Sequence, residues 1–178
     1  MILLVPLADV PPGDVEALLD AAFGTDRHGR TAYRLREGVR AIPALSFAAI
    51  EDGRLIGSLQ SWPIELAPEA EAATPCPLVL VGPVAVCPDR QRDGVGRMLM
   101  QRLMEAAPAA AQAGEAGARA LAMIGDPEYY GRFFGFTAEA TGGWQVPGPV
   151  ERRRPLAHIA RGHAVPAMGL PPPPLPGS

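Results

Sequence analysis

A nearly continuous apolar run, Leu78 to Cys87, leads through a loop containing Gly94 and Gly96 straight into a helical pattern that begins at Val95. An apolar run of this kind, bounded by prolines and without alternation, reads as a strand buried on both faces. Beyond the loop, Val95, Leu99, Leu103 and Ala106 recur with helical period, while Arg97, Gln101 and Glu105 take the other face. A strand passing directly into a glycine loop and a long helix places the chain in the α/β (α+β) class. The same succession makes an anion site. The first backbone N–H groups of a helix lack intrahelical acceptors, and with the helix dipole they suit a pyrophosphate. Gly94 and Gly96 are expected to let phosphates approach the backbone closely. Two other glycine motifs do not fit: a Rossmann fingerprint needs a small residue where Leu99 stands, and a phosphate loop needs a lysine, which the chain lacks.

Around this segment the chain alternates strand-like and helical stretches. Met1 to Pro6 reads as a first strand, and Val15, Leu18, Leu19 and Ala22 form the stripe of a helix over 14–23 that Gly24 stops. A short helix from Thr31 to Glu37 carries Arg34 and Arg36. Two strands, Leu45 to Ile50 and Leu55 to Glu65, flank Asp52-Gly53, a hairpin signal that makes the pair antiparallel. Residues 66–77 read as a surface loop, and Pro108 is expected to end or kink the long helix. Ala120 to Ile124 is a further strand. Asp126-Pro127-Glu128 starts a helix, with an N-cap and a proline at the first helical position, that Gly135 closes. Phe136, Trp144 to Val146 and Pro155 to Ile159 are expected to supply the last strands. Residues 1–164 make one domain, and 165–178, with Pro171 to Pro174, make a Pro-rich tail expected to be disordered.

Composition removes several classes of function. At 178 residues the chain has room for one core, and a net charge of −3 is not that of a phosphate-coating nucleic-acid binder. All 16 basic residues are arginines, which excludes lysine Schiff-base chemistry. No stretch is long and apolar enough to span a bilayer, and the N-terminal apolar run is too short for a signal sequence, so a soluble, cytoplasmic protein is expected. Cys76 and Cys87 cannot form a disulfide framework or, with three histidines, a structural zinc site, and no metal is expected.

The Gln91-x-x-Gly94-x-Gly96 loop after Val84-Ala85-Val86 resembles the first signature of the GNAT superfamily of acetyl-CoA-dependent N-acetyltransferases. The segment Asp126-Pro127-Glu128-Tyr129-Tyr130-Gly131-Arg132-Phe133-Phe134-Gly135-Phe136 is similar to its second, a short helix with a tyrosine ending in Gly-Phe. With the Asp52-Gly53 hairpin, the chain looks like the YhbS-like branch over residues 1–150.

The resemblance implies a mixed, mostly antiparallel sheet flanked by helices, with fourth and fifth strands that splay apart. Pantetheine would pair with the backbone of Val84, Ala85 and Val86, and the pyrophosphate would sit on the amides of Arg92, Asp93, Gly94, Val95, Gly96 and Arg97. Acetyl-CoA is then the co-substrate, and an amine of a small molecule or protein attacks the thioester directly. Tyr130 is the candidate acid for the departing thiolate. The family's tyrosine commonly lies four residues before the Gly of Gly-Phe, where this chain has Gly131, so either a bulge restores the facing or Tyr129 and Tyr130 exchange roles. The base is unassigned, with Asp126, Glu128 and Glu65 within topological reach, and Asp126 is explained fully as an N-cap. A non-catalytic acyl-CoA-binding or sensing module is the alternative, as is a longer acyl donor. A homodimer stays open.

Overall fold

The computed structural model describes residues 1–66, 74–142, 144, 148, 150, 151 and 153–165. Strands β1 (Ile2–Pro6), β2 (Phe47–Glu51), β3 (Arg54–Leu66), β4 (Cys76–Val86), β5 (Ala120–Ile124) and β6 (Pro155–Ile159) form one sheet in sequence order. Helices α1 (Pro12–Phe23) and α2 (Thr31–Leu35) lie between β1 and β2, α3 (Val95–Gln112) joins β4 to β5, and α4 (Pro127–Phe134) follows β5. Every neighbouring pair is antiparallel except β4 and β5. Parallel neighbours need a crossover, and α3 provides it. The β2–β3 hairpin turns on Asp52 and Gly53, both at positive φ as a two-residue hairpin turn requires.

The parallel pairing is short. Val79 pairs with Leu121 and Leu80 with Ala122, and there the two strands part, giving the splay expected of them. On its other edge β4 stays joined to β3 as far as Gly57↔Val86, with an irregularity where Gly82 and Pro83 oppose Gln60. The fork therefore opens toward the C-terminal ends of β4 and β5, where α3 and α4 begin.

The core joins the α1 stripe Val15, Leu18 and Leu19 to the α3 stripe Val95, Leu99, Met100 and Leu103 across the sheet. Close contact at the start of α3 depends on Gly57 of β3, where an added Cβ would lie 2.7 Å from Val95 Cγ1 and 3.1 Å from Leu99 Cδ1. α3 continues through Pro108 to Gln112 instead of ending there. Pro108 is exposed while Ala107 and Ala110 beside it are buried, so the carbonyl that loses its partner faces water and the packed face is undisturbed. The strand expected at Phe136 reduces to a single bridge between Thr137 and Ala157. Trp144 is not in a strand, and Gln145 and Val146 lie outside the described residues, as do the loop at 67–73 and the tail from 166.

Gly57→Ala is expected to cost about 1–3 kcal/mol by forcing α3 off β3, read as a lower midpoint in urea unfolding. An unchanged midpoint would mean that this contact does not hold the helix.

Candidate functional site

The start of α3 lacks the device that closes α4. At α4 the Asp126 side chain accepts from the Glu128 amide at 3.0 Å, whereas α3 has Gly94 as its N-cap with no side-chain hydrogen bond and no acid in its first turn. The first backbone bond into α3 is Met98 N–H to Gly94 O at 3.0 Å. The amides of Val95, Gly96 and Arg97 are thus left without intrahelical acceptors at the positive end of an 18-residue helix. Asp93, the acid that stands nearest, is turned away by an ion pair with Arg90, which also binds Glu51 and holds its carboxyl below the usual range. The Asp93 amide donates to Arg90 O at 3.2 Å, so it is already engaged and drops out of the set expected to bind phosphate. Arg54 holds Asp89 through two hydrogen bonds of 3.1 and 3.2 Å, pinning the loop to the hairpin.

The two glycines act differently. Gly94 adopts φ +75°, and a Cβ there would meet nothing within 4 Å. Its positive φ is a conformational requirement for glycine, and the space beside it is open. At Gly96 a Cβ would make ordinary contacts, 3.6 Å from Val86 Cγ2 and 3.7 Å from Val84 Cγ1. The protein itself would tolerate a methyl group there, and the first turn of α3 lies directly over the side chains of Val84 and Val86.

The open edge of β4 lies beneath this turn. Cys87 N–H donates to Ile56 O at 2.9 Å, and the two-residue period of an antiparallel ladder then turns the peptide groups of Ala85 toward β3 and those of Val84 and Val86 toward the fork. The Ala85 carbonyl indeed lies 3.3 Å from the Cβ position of Gly57 on β3. The expected backbone contacts therefore narrow to Val84 and Val86. No β5 residue pairs with either of them. Unpaired strand groups of this kind seek a partner.

α4 forms the facing wall. It is a regular helix closed by Gly135, whose N–H bonds to Gly131 O, with Phe136 N–H to Tyr130 O at 3.2 Å. No bulge restores the family's tyrosine spacing. Tyr130 packs on Gly125 at the end of β5 and contacts the rings of Phe134 and Phe136. Burial, helped by the charges of Tyr129 and Asp126, pushes its phenol up to about 12. Tyr129 is 36% exposed and stacks near Phe133, over which the Arg97 guanidinium lies at 4.3 Å. α3 and α4 thus touch across the mouth of the fork. Of the carboxylates weighed as base, Asp126 is lowered by a side-chain hydrogen bond with Glu128 and, less, by its cap to the Glu128 amide, Glu128 pairs with Arg153 at 2.7 Å, and Glu65 sits opposite Pro77 at the far end of β4.

Sequence reading did not find two groups beside the fork. Trp62 Nε1–H donates to Gly82 O at 2.7 Å, fixing the point where β4 turns irregular. Arg27, 2% exposed, binds Asp20, Glu16 and the Tyr33 hydroxyl, and Tyr33 in turn faces Arg36. Arginines in a polar stretch carry no periodic signal of such contacts. Cys87 is buried with its thiol toward Leu55 O, as a packed hydrophobe, and no group of metal-binding side chains occurs among the described residues. Among those residues no helix is long and apolar enough to cross a membrane.

The family model for the acetyltransferase (GNAT) family matches residues 14–136, spanning β4, the glycine loop, α3 and α4. The chain belongs to that family. Its fold is similar to that of a GNAT N-acetyltransferase (YhbS) from Escherichia coli in complex with CoA, at TM-score 0.60 and 24% identity over 89% of this chain and 80% of that one. It is also similar to a GNAT acetyltransferase from Brucella melitensis in complex with acetyl-CoA, at TM-score 0.51 and 28% identity over 90% of this chain and 97% of that one. No curated protein matches the chain. Within the family frame, the first-turn amides of α3 and the fork edge at Val84 and Val86 have unused hydrogen-bonding capacity.

The two glycines predict opposite effects on the free protein. Gly96→Ala should be neutral or stabilising by up to about 1 kcal/mol, as alanine is in a helix, whereas Gly94→Ala should destabilise by about 1 kcal/mol or more because of its positive φ. Urea midpoints of the two variants check this, and equal effects would contradict the separate roles.

Proposed function

We propose that this chain is an N-acetyltransferase that moves the acetyl group of acetyl-CoA to an amine by direct attack on the thioester. The observation that carries the reading is the open edge of β4 at Val84 and Val86, beside an uncapped α3 start that lies over it at Gly96. A pantetheine chain, with two amides, suits the strand edge, and a pyrophosphate suits the free amides of Val95, Gly96 and Arg97. Both lie at the carboxyl ends of parallel strands, where α/β sheets bind ligands. Arg92, exposed on the loop, is available to the phosphates, while Arg90 is bound to Glu51 and Asp93.

Acetyl-CoA supplies an activated acyl carbon and a thiolate leaving group. The protein orients it through Val84 and Val86 and fixes its phosphates on α3. As the amine nitrogen bonds to the acyl carbon and the carbon–sulfur bond breaks, Tyr130 gives its phenolic proton to sulfur and regains one from solvent. Its raised pKa keeps that proton in place at all working pH values. The acceptor must lose a proton as well. Asp126 and Glu128 are held by their own contacts, so water takes that proton in this reading. Free thiols at Cys76 and Cys87 agree with a reducing, cytoplasmic setting.

Tyr130→Phe should lower kcat by about 10²- to 10⁴-fold, the usual worth of a general acid, and leave the KM for acetyl-CoA nearly unchanged. Tyr129→Phe is the control. A large loss at Tyr129 and none at Tyr130 would move the acid to the exposed tyrosine. The pH profile has a definite sign: activity should rise with pH as free amine increases, since amines titrate near about 10. Tyr130, protonated up to about 12, contributes no descending limb below that pH. A loss of activity between pH 8 and 10 that disappears in Tyr130→Phe would contradict this.

A further inference from the structure

The wall of the fork that faces α2 carries a cation with no counterion. Arg36 is half-buried, with its guanidinium carbon 3.8 Å from the ring centroid of Tyr33 and 4.3 Å from that of Trp62. Its hydrogen bond runs from Nη1 to Gln60 Oε1 at 3.3 Å. None of the ion pairs among the described residues includes it. Glu16, whose negative charge reaches it, is bound to Arg27, and Arg27 also fixes the hydroxyl of Tyr33. Burial lowers the pKa of Arg36 by more than Tyr33 and Glu16 raise it.

The neighbours of Arg36 offer it neutral acceptors and no carboxylate. An arginine only donates, so the Gln60 oxygen must face it and the Gln60 amide nitrogen is turned away, with no partner among the described residues. Alternation along β3 places Ser58, Gln60 and Trp62 on one face, and Ser58 Oγ is buried and without a partner. The half-buried guanidinium and the Gln60 amide N–H form a pair of donors that is short of one anion, with Ser58 two residues farther along the same strand face. Trp62 ties this group to the reaction centre, because its indole touches Arg36 with its ring and Gly82 O with its N–H, and Gly82 lies just past the last β4–β5 pair.

We infer that the acceptor is a small amine that also carries an anionic group, and that Arg36, flanked by Tyr33 and Trp62, binds that group while the amine points into the fork. This rests on the transferase reading above and names its substrate class. Arg36 is a specificity residue and takes no part in proton transfer. A planar guanidinium held between two rings presents its free N–H edge to a carboxylate or a phosphate, a geometry that lysine does not reproduce.

The test follows CoA release with a thiol reagent for 4-aminobutanoate, 2-aminoethyl phosphate, 4-aminobutanamide and 1,4-diaminobutane, alongside acetyl-CoA thermal shifts. The wild type should use at least one of the two anionic amines about 10- to 100-fold better in kcat/KM than the amide or the diamine, the worth of a charge-assisted hydrogen bond. Preference between carboxylate and phosphate then tells which anion the group takes. Arg36→Gln should remove that advantage through KM, leaving the amide within about threefold and the acetyl-CoA shift intact, and Arg36→Lys should restore only part of it. Preference for the diamine or the amide, no turnover of any acceptor despite a normal acetyl-CoA shift, or an equal loss on all acceptors in Arg36→Gln would overturn the inference. If Arg36→Gln fails to fold, the wild-type preferences decide alone. Absence of an acetyl-CoA shift in the wild type would instead overturn the transferase reading and the inference with it.

Discussion

Everything at the site follows from a parallel pairing that stops after Leu80 and Ala122. At this register β5 ends at Ile124, opposite Gly82, so β4 runs on past it and no β5 residue stands beside Val84 and Val86. The irregularity at Gly82 and Pro83 lies where the strands part, and Trp62 holds the Gly82 carbonyl from the β3 side. Pro83 has no N–H to offer a neighbouring strand. Hydrogen bonds to β3 keep β4 straight past the fork, so the exposed edge stays ordered without a strand to cover it.

Position of the helices completes the arrangement. α3 must reach back from the end of β4 to the start of β5, and Gly57 lets it lie close enough that its first turn sits over Val84 and Val86. Arg90 is directed to Glu51 and Asp93 and Arg54 to Asp89, which leaves the backbone amides and Arg92 as donors at the loop. Neutral amides and a helix dipole bind phosphate without a buried cation whose desolvation would have to be offset.

Much of this was legible in the chain because it is local. The strand, glycine loop and helix at 78–112, the Asp52-Gly53 turn and the Asp126 cap each depend on neighbours within a few residues, and each is found where expected. Sequence is a weaker guide where tertiary context decides. Of the two outcomes expected at Pro108, an end or a kink, the helix does not end, because Pro108 lies on the solvent side of a helix already packed through Leu103, Ala107 and Ala110. The different needs of Gly94 and Gly96 are invisible without the distances to Val84 and Val86. Ala85 stands between two residues that face the fork, and only its ladder with Ser58 shows that its own groups face the other way. Arg36 and Trp62, 26 residues apart in number, meet because α2 folds over β3.

The central claim is that the backbone of Val84 and Val86 is unpaired in the free protein and covered by acetyl-CoA. Amide hydrogen exchange measures it residue by residue. Without ligand, the amides of Val84 and Val86 should exchange far faster than those of Ala85 and Cys87, which face β3. Saturating acetyl-CoA should slow Val84, Val86 and the first-turn amides Val95, Gly96 and Arg97 together. Protection of Val84 and Val86 equal to that of Ala85 before ligand is added, or no change at any of these amides afterwards, would contradict the account.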